Sequence, residues 1–303
     1  FSAGLRLAGT YEDGDQAAAL ILAGSGPTDR NGNSPNGLSS DTYALLAQAM
    51  AERGVATLRT DKRGIGGSTG DGNAVLLSDY AADTALWIGT LKQRTGQACV
   101  WLIGHSEGGL IALATAQGRT DLCGLILIAT PGRGLDDILL DQLGTAPAMA
   151  PYMEATRGFL DQLKAGQEVA IDEMPTILVP MFPPAVHGYL RDLLAFDPIA
   201  IAKTTPQQSL VVQGAQDLQT SMADAEALAA AFPDRRIAKP QAPDVLIRLI
   251  GLVDPAVRSI APTLGIRRDF DTSPARDLLG LAFRDPRESM VDSARWLVDQ
   301  GRA

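Results

Sequence analysis

The sequence predicts an α/β protein: a mainly parallel sheet with helices on both faces, a helical insertion and a helical C-terminal tail. Three observations carry this. Short apolar runs alternate with amphipathic stretches as far as residue 129. The alternation breaks between residues 133 and 202, where helical patches are punctuated by Pro147, Pro151, Pro175, Pro180, Pro183 and Pro184. It then resumes at residues 209–213. Sheet strands that feed helices on alternate sides produce this β-α-β-α rhythm.

In chain order, residues 17–23 form an apolar strand that stops at Gly24. Residues 40–53 have helical periodicity, with Asp41 near the start and Gly54 after the end. Residues 55–59 are a strand, 78–95 a helix closed by Gly96, 98–103 a strand, 107–117 a helix and 124–129 a strand. Residues 209–213 are the next strand and 222–232 an alanine-rich helix, and 235–238 could be one more strand. The domain reading is a core of residues 1–132 and 203–239, a cap of 133–202 over the carboxyl edge of the sheet, and a tail of 240–303.

Composition narrows the function classes. Hydrophobic residues make up 46% and charged residues 20% of 303, enough apolar mass for a full core. The net charge of −9 would be repelled by a phosphate backbone, so nucleic acid is not expected as a partner. The longest apolar run, at residues 125–129, is far short of a membrane span and reads as a buried strand. The chain starts at Phe1 with no signal-peptide pattern. This fits a processed or trimmed form and leaves cytoplasmic and exported locations both open. Two histidines exclude a histidine-rich metal site. Cys99 and Cys123 have no metal-ligand spacing and read as small buried residues at strand starts, or as a disulfide between neighbouring strands in an oxidising compartment. Oligomeric state is not legible here.

The strongest chemical signal is Gly104-His105-Ser106-Glu107-Gly108-Gly109, which follows an apolar strand and opens a helix. A G-x-S-x-G block in this context is a nucleophile elbow. The sharp turn pushes a serine hydroxyl out above the sheet, and small neighbours let the chains approach closely. The helix N-terminus aims N–H groups at the point where negative charge develops. The second block, GSGPTDRNGN at residues 24–33, follows the first buried strand. Alone it could be a polar turn. Beside an elbow, Ser25 is placed to supply one oxyanion N–H, the other coming from Glu107. Asp217 lies beyond Gly214 after a strand, at the same sheet edge as Ser106, where a carboxylate could orient an imidazole. Asp61, Lys62 and Arg63 are expected to stabilise the surrounding loops.

GSGPTDRNGN, DKRGIGGS at residues 61–68, GHSEGG at 104–109 and QGAQDLQ at 213–219 together resemble bacterial α/β-hydrolases of the serine-aminopeptidase-like esterase group, over residues 1 to about 237. The resemblance implies an α/β-hydrolase fold, small carboxylic ester substrates, a capped site and no cofactor. It implies Ser106 as nucleophile, Ser25 and Glu107 as oxyanion donors and Asp217 as the acid of the triad.

One part of the pattern is missing. The triad order Ser…Asp…His asks for a histidine after Asp217, yet none follows His187. Where the family's glycine-methionine-asparagine-histidine loop would fall, the chain reads Lys239-Pro240-Gln241-Ala242-Pro243. His105 is expected to point away from the serine hydroxyl as a structural group. His187 reads as a cap-surface histidine, the alternative being a substitute base reaching down from the insertion.

The tail differs in charge: residues 1–234 carry a net −12 and residues 235–303 a net +3. Its stretch RRDFDTSPARDLLG at residues 267–280, with Pro286, Trp296 and Gly301, is similar to the C-terminal helices of extended short-chain dehydrogenases of the dihydroflavonol-reductase type. That family's Tyr-x-x-x-Lys and glycine-rich dinucleotide loop are absent, so a nicotinamide-dependent reductase is the weakest reading. The leading expectation is a serine hydrolase with weakened activity. Its main rival is a non-catalytic binding protein or inactive fusion that keeps the pocket.

Overall fold

The computed structural model describes residues 4–215, 217 and 219–232. These fall in one compact unit, Phe1–Ile237. The expectations for a strand at residues 235–238 and for helices at 240–303 lie outside the described residues.

The element order is β1 (Gly9–Glu12), β2 (Ala17–Leu22), α1 (Thr42–Ala51), β3 (Val55–Thr60), α2 (Leu77–Thr95), β4 (Val100–His105), α3 (Glu107–Ala116) and β5 (Leu122–Ile128). After a long insertion come β6 (Ser209–Val212) and α8 (Met222–Ala231). The insertion holds α4 (Leu135–Gly144), α5 (Met153–Lys164), α6 (His187–Ala195) and α7 (Pro198–Thr204), joined by short 3₁₀ turns. No helix among the described residues is long and apolar enough to cross a membrane.

Among the described residues, six strands are ordered β1-β3-β2-β4-β5-β6. All neighbours are parallel except β1, which runs antiparallel to β3 from Gly9 opposite Thr60. The sequence reading did not include β1, because a four-residue edge strand with no fully buried position carries little apolar signal. Central β2 shows why its run AAALILA is apolar throughout. Alternate side chains point to opposite faces. Ala18, Leu20 and Leu22 join one core cluster with residues of α2, α3 and α8, while Ala19, Ile21 and Ala23 join another with Tyr43 and Ala47 of α1. Both faces are therefore covered, as a parallel sheet requires.

The chain passes from β2 to β3 on one side, then returns to β4 on the other side of β2. The loops leaving β2 and β4 diverge, and in open α/β sheets a crevice opens outside the carboxyl ends of the strands at such a point. Leu22 pairs with Gly104 in this register, so the segments beginning at Gly24 and Ser106 emerge side by side.

The insertion has its own core, with Phe159, Leu160, Leu163, Leu178, Phe182 and Leu194 among its buried side chains. It is tied to the sheet-covering layer where the Leu77 N–H at the start of α2 donates to the Asp192 carboxylate of α6 at 2.7 Å. Cys99 and Cys123 are joined as a disulfide with Cα atoms 5.1 Å apart, linking the entry to β4 with the start of β5. Both are half-buried, so the reading of two free buried thiols gives way to the bonded alternative.

Candidate active site

Ser106 is the only residue between β4 and α3, and it makes the strand-to-helix turn alone. Its backbone sits at φ 52° and ψ −119°, a conformation that costs an L-residue on the order of 1–3 kcal/mol. The surroundings enforce it. The Ser106 N–H donates to the Ile128 carbonyl of β5 at 2.8 Å, and the Ser106 carbonyl accepts from the Gly109 N–H at 2.9 Å. A Cβ at Gly104 would collide with the Gly108 carbonyl, and one at Gly108 with the carbonyls of Leu22 and Ala23. The glycines of this block are close-approach positions, as its spacing suggests.

A cavity of about 530 Å³ opens here, and Ser25, Ser106 and Glu107 all line it. Its outer wall comes from the insertion: Leu135, Ile138 and Leu139 of α4, Met181 and Phe182, and Tyr189, Leu190 and Leu193 of α6. Its floor is more polar, with Lys62, Arg63, Tyr80 and Asn73. Three of the four sequence-predicted site residues thus share one apolar-walled chamber.

Lys62 was expected only to stabilise loops, yet its ammonium reaches into this floor. It donates to the Gly24 carbonyl at 2.7 Å and to the Glu107 carboxylate at 3.0 Å. Its neighbours behave as expected. Asp61 is buried, accepts from the N–H groups of Arg30 and Gly67, and pairs with the Arg30 guanidinium. Arg63 pairs with Asp83 and Asp79 of α2. Tyr80 and Tyr189 meet edge-to-face, with centroids 5.6 Å apart. Burial, reinforced by the Glu107 charge, raises both phenols above their ordinary value.

Asp217 does not line the cavity. It sits in the turn after β6, where its carboxylate accepts from the Gln219 and Thr220 N–H groups, the Thr220 hydroxyl and the Gln213 amide. Burial would raise this carboxyl, but those donors outweigh it and hold it below the usual carboxylate range. Its oxygens are occupied within its own turn.

Neither imidazole lines the cavity. His105 Nδ1 lies 2.7 Å from the Tyr43 hydroxyl, on the face covered by α1, in the structural place expected. Burial lowers its pKa, against a weaker upward pull from Asp217. His187 is not on the cap surface. It is 8% exposed, its Nε2 lies 2.9 Å from the Phe182 carbonyl, and its ring packs against Phe159. The α6 positions around it are apolar on one side, a signal that could have placed it in the cap core.

Comparison with known proteins agrees with the fold. Residues 37–174 match the family model described as "Serine aminopeptidase, S33". The chain is 28% identical over 212 residues to esterase EstD from Thermotoga maritima, covering 69% of this chain and 48% of that protein, so it spans about half the length of that curated relative. Among solved structures, a thermophilic esterase from Thermogutta terrifontis is 19% identical with a TM-score of 0.52, covering 78% of this chain and 85% of that one. A hydrolase from Pseudomonas aeruginosa is also 19% identical at 0.52, covering 88% and 97%. At these identities the structural likeness establishes the α/β-hydrolase fold.

Proposed function

We propose that this α/β-hydrolase cleaves small carboxylic esters through an acyl-enzyme on Ser106, at a rate limited by the lack of a histidine base. The observation that carries the reading is the convergence of Ser25, Ser106 and Glu107 on one cavity, with Ser106 held in left-handed backbone geometry at a strand–helix turn. The Ser106 hydroxyl attacks the ester carbonyl, and the N–H groups of Ser25 and Glu107 stabilise the oxyanion. The alcohol leaves, and water then hydrolyses the acyl-serine. In this reading residues 133–202 act as the cap, and their leucines, Ile138 and Phe182 receive the apolar part of the ester.

Serine is a poor nucleophile at neutral pH without a base. A triad that loses one member keeps roughly 10³–10⁴-fold over water through its oxyanion hole and binding. The expected behaviour is slow turnover of activated esters such as nitrophenyl acetate and very slow turnover of unactivated ones. A fluorophosphonate probe, read by mass spectrometry of the labelled peptide, tests this directly. Label on Ser106, with no label in S106A, supports the reading, and an unlabelled wild-type protein sinks it.

The second reading, a non-catalytic binding protein, is favoured by one observation: both histidines of the chain are engaged away from the cavity. It predicts ligand binding in the cavity with no difference in turnover between wild type and S106A.

A further inference from the structure

We propose that Lys62 is the positioning residue of the oxyanion hole, holding the Gly24–Ser25 peptide directly and the Glu107 side chain with the same ammonium group. The inference rests on the assignment of the Ser25 and Glu107 N–H groups as the oxyanion donors. Lys62 Nζ donates to the Gly24 carbonyl at 2.7 Å and to Glu107 Oε1 at 3.0 Å, from a side chain 11% exposed. The Gly24 carbonyl belongs to the same peptide unit as the Ser25 N–H. That unit is planar and trans, so the two groups point in opposite directions. Fixing the carbonyl on Lys62 therefore fixes the direction of the Ser25 N–H.

The other side of Gly24 is held as well. Its N–H donates to the Tyr43 hydroxyl at 3.1 Å, and that hydroxyl lies 2.7 Å from His105 Nδ1. Gly24 is thus pinned through both of its backbone polar groups, to α1 on one side and to Lys62 on the other. A cation on the carbonyl also polarises the amide, and hydrogen bonds in series strengthen one another in a low-dielectric site.

Lys62 does a second thing. Glu107 carries a carboxylate on a side chain 11% exposed and lines the same cavity as Ser106, where an oxyanion would form. Like charges there raise the barrier, and the paired ammonium cancels that charge. The charge pair lies against the Tyr80 ring, with Nζ 5.8 Å from its centroid.

The test uses the whole chain. K62M keeps the unbranched stem of the side chain but leaves Glu107 unpaired, so it is accompanied by K62M/E107Q, which removes both charges and whose folding is checked by its melting temperature. In both, kcat for nitrophenyl acetate should fall by about 10², the scale of losing one oxyanion donor, with KM little changed. Affinity for phenylboronic acid, whose serine adduct is tetrahedral, should fall with kcat. K62M/E107Q should be the less impaired of the two, since it lacks the uncompensated carboxylate. A folded K62M/E107Q with wild-type kcat and boronate affinity, or one in which only KM rises, overturns the proposal. Fluorophosphonate labelling that persists in S106A removes the Ser106 reading and this proposal with it. Labelling lost in S106A but as fast in K62M/E107Q as in wild type removes the Lys62 proposal alone.

Discussion

Two loops leave the carboxyl edge of this sheet with different kinds of support. The elbow at Ser106 is held by other elements: β5 through the Ile128 carbonyl, the backbone of β2 packed against Gly108, and α1 through Tyr43 and His105. The turn carrying Asp217 is held mainly by itself, its carboxylate spending its oxygens on Gln213, Gln219 and Thr220. The first arrangement aims a group outward into a cavity, and the second satisfies a carboxylate in place. A triad acid has to spend an oxygen on an imidazole. Under the proposed function, the comparison puts the weakness of the apparatus at its acid–base end, while Ser25, Ser106 and Glu107 share one cavity.

The largest expected effect is at the elbow. S106A should lose fluorophosphonate labelling and bring nitrophenyl acetate hydrolysis down to the background rate of the protein surface. Steady-state kinetics would show it, and residual labelling would break the comparison at its stronger side. Next come two stability effects of opposite origin. G108A places a methyl group against the carbonyls of β2, and overpacking of this kind costs about 1–3 kcal/mol or more. D224A removes a carboxylate with no side-chain exposure, which accepts from Ser221, the Gly132 N–H and Arg133. Because half-buried Arg133 can turn to solvent, a loss of about 2–3 kcal/mol is expected, or a melting point lower by roughly 5 °C. Calorimetry on both variants decides whether the two loops depend on the shared core to the same degree.

A smaller effect is the pH dependence of stability. The Asp217 and Asp224 carboxyls are held below the ordinary range, since their hydrogen bonds outweigh burial. Their contribution is complete above the unfolded carboxylate value of about 4 and is lost as pH falls through the lower folded values. His105 is lowered by burial, so the unfolded chain binds its proton more tightly. Its share is complete above the ordinary imidazole value of about 6.5 and declines as pH falls below it. Melting temperature should therefore be level from about pH 7 to 9, dip gently near pH 6 and fall steeply below pH 4, and it should fall again above about pH 10, where the unfolded chain loses phenol protons that Tyr80 and Tyr189 keep in the fold. The gentle dip should vanish in H105Q.

The smallest effect sharpens the contrast most. In a working triad, replacing the acid costs about 10⁴ in kcat, whereas D217N here should change turnover by less than about threefold, there being no imidazole to orient. H187A should likewise leave turnover unchanged while lowering the melting point, because its ring fills the cap core beside Phe159. A collapse of turnover in either variant would show that the chain recruits a base from one of these places.

The sheet was legible because its signals are local. Residues 17–23 are apolar at every position since both faces of β2 are covered, and Gly54 and Gly96 mark helix ends by their own backbone freedom. The elbow was legible for the same reason: the close approach of β4, α3 and β2 demands glycine at positions 104 and 108. What could not be read were pairings between residues far apart in the chain. These include Lys62 with Gly24 and Glu107, Tyr43 with His105, and the His187 ring with Phe159, while the Cys99–Cys123 disulfide was one of two open readings. Each depends on strand order and register, such as Leu22 opposite Gly104, or on how the helices of the insertion pack. The sequence alone settled which residue types had to exist at the elbow and that residues 218–303 hold no histidine. Only the tertiary structure decided which side chains meet there, because a one-residue change of register would send every one of them to the other face.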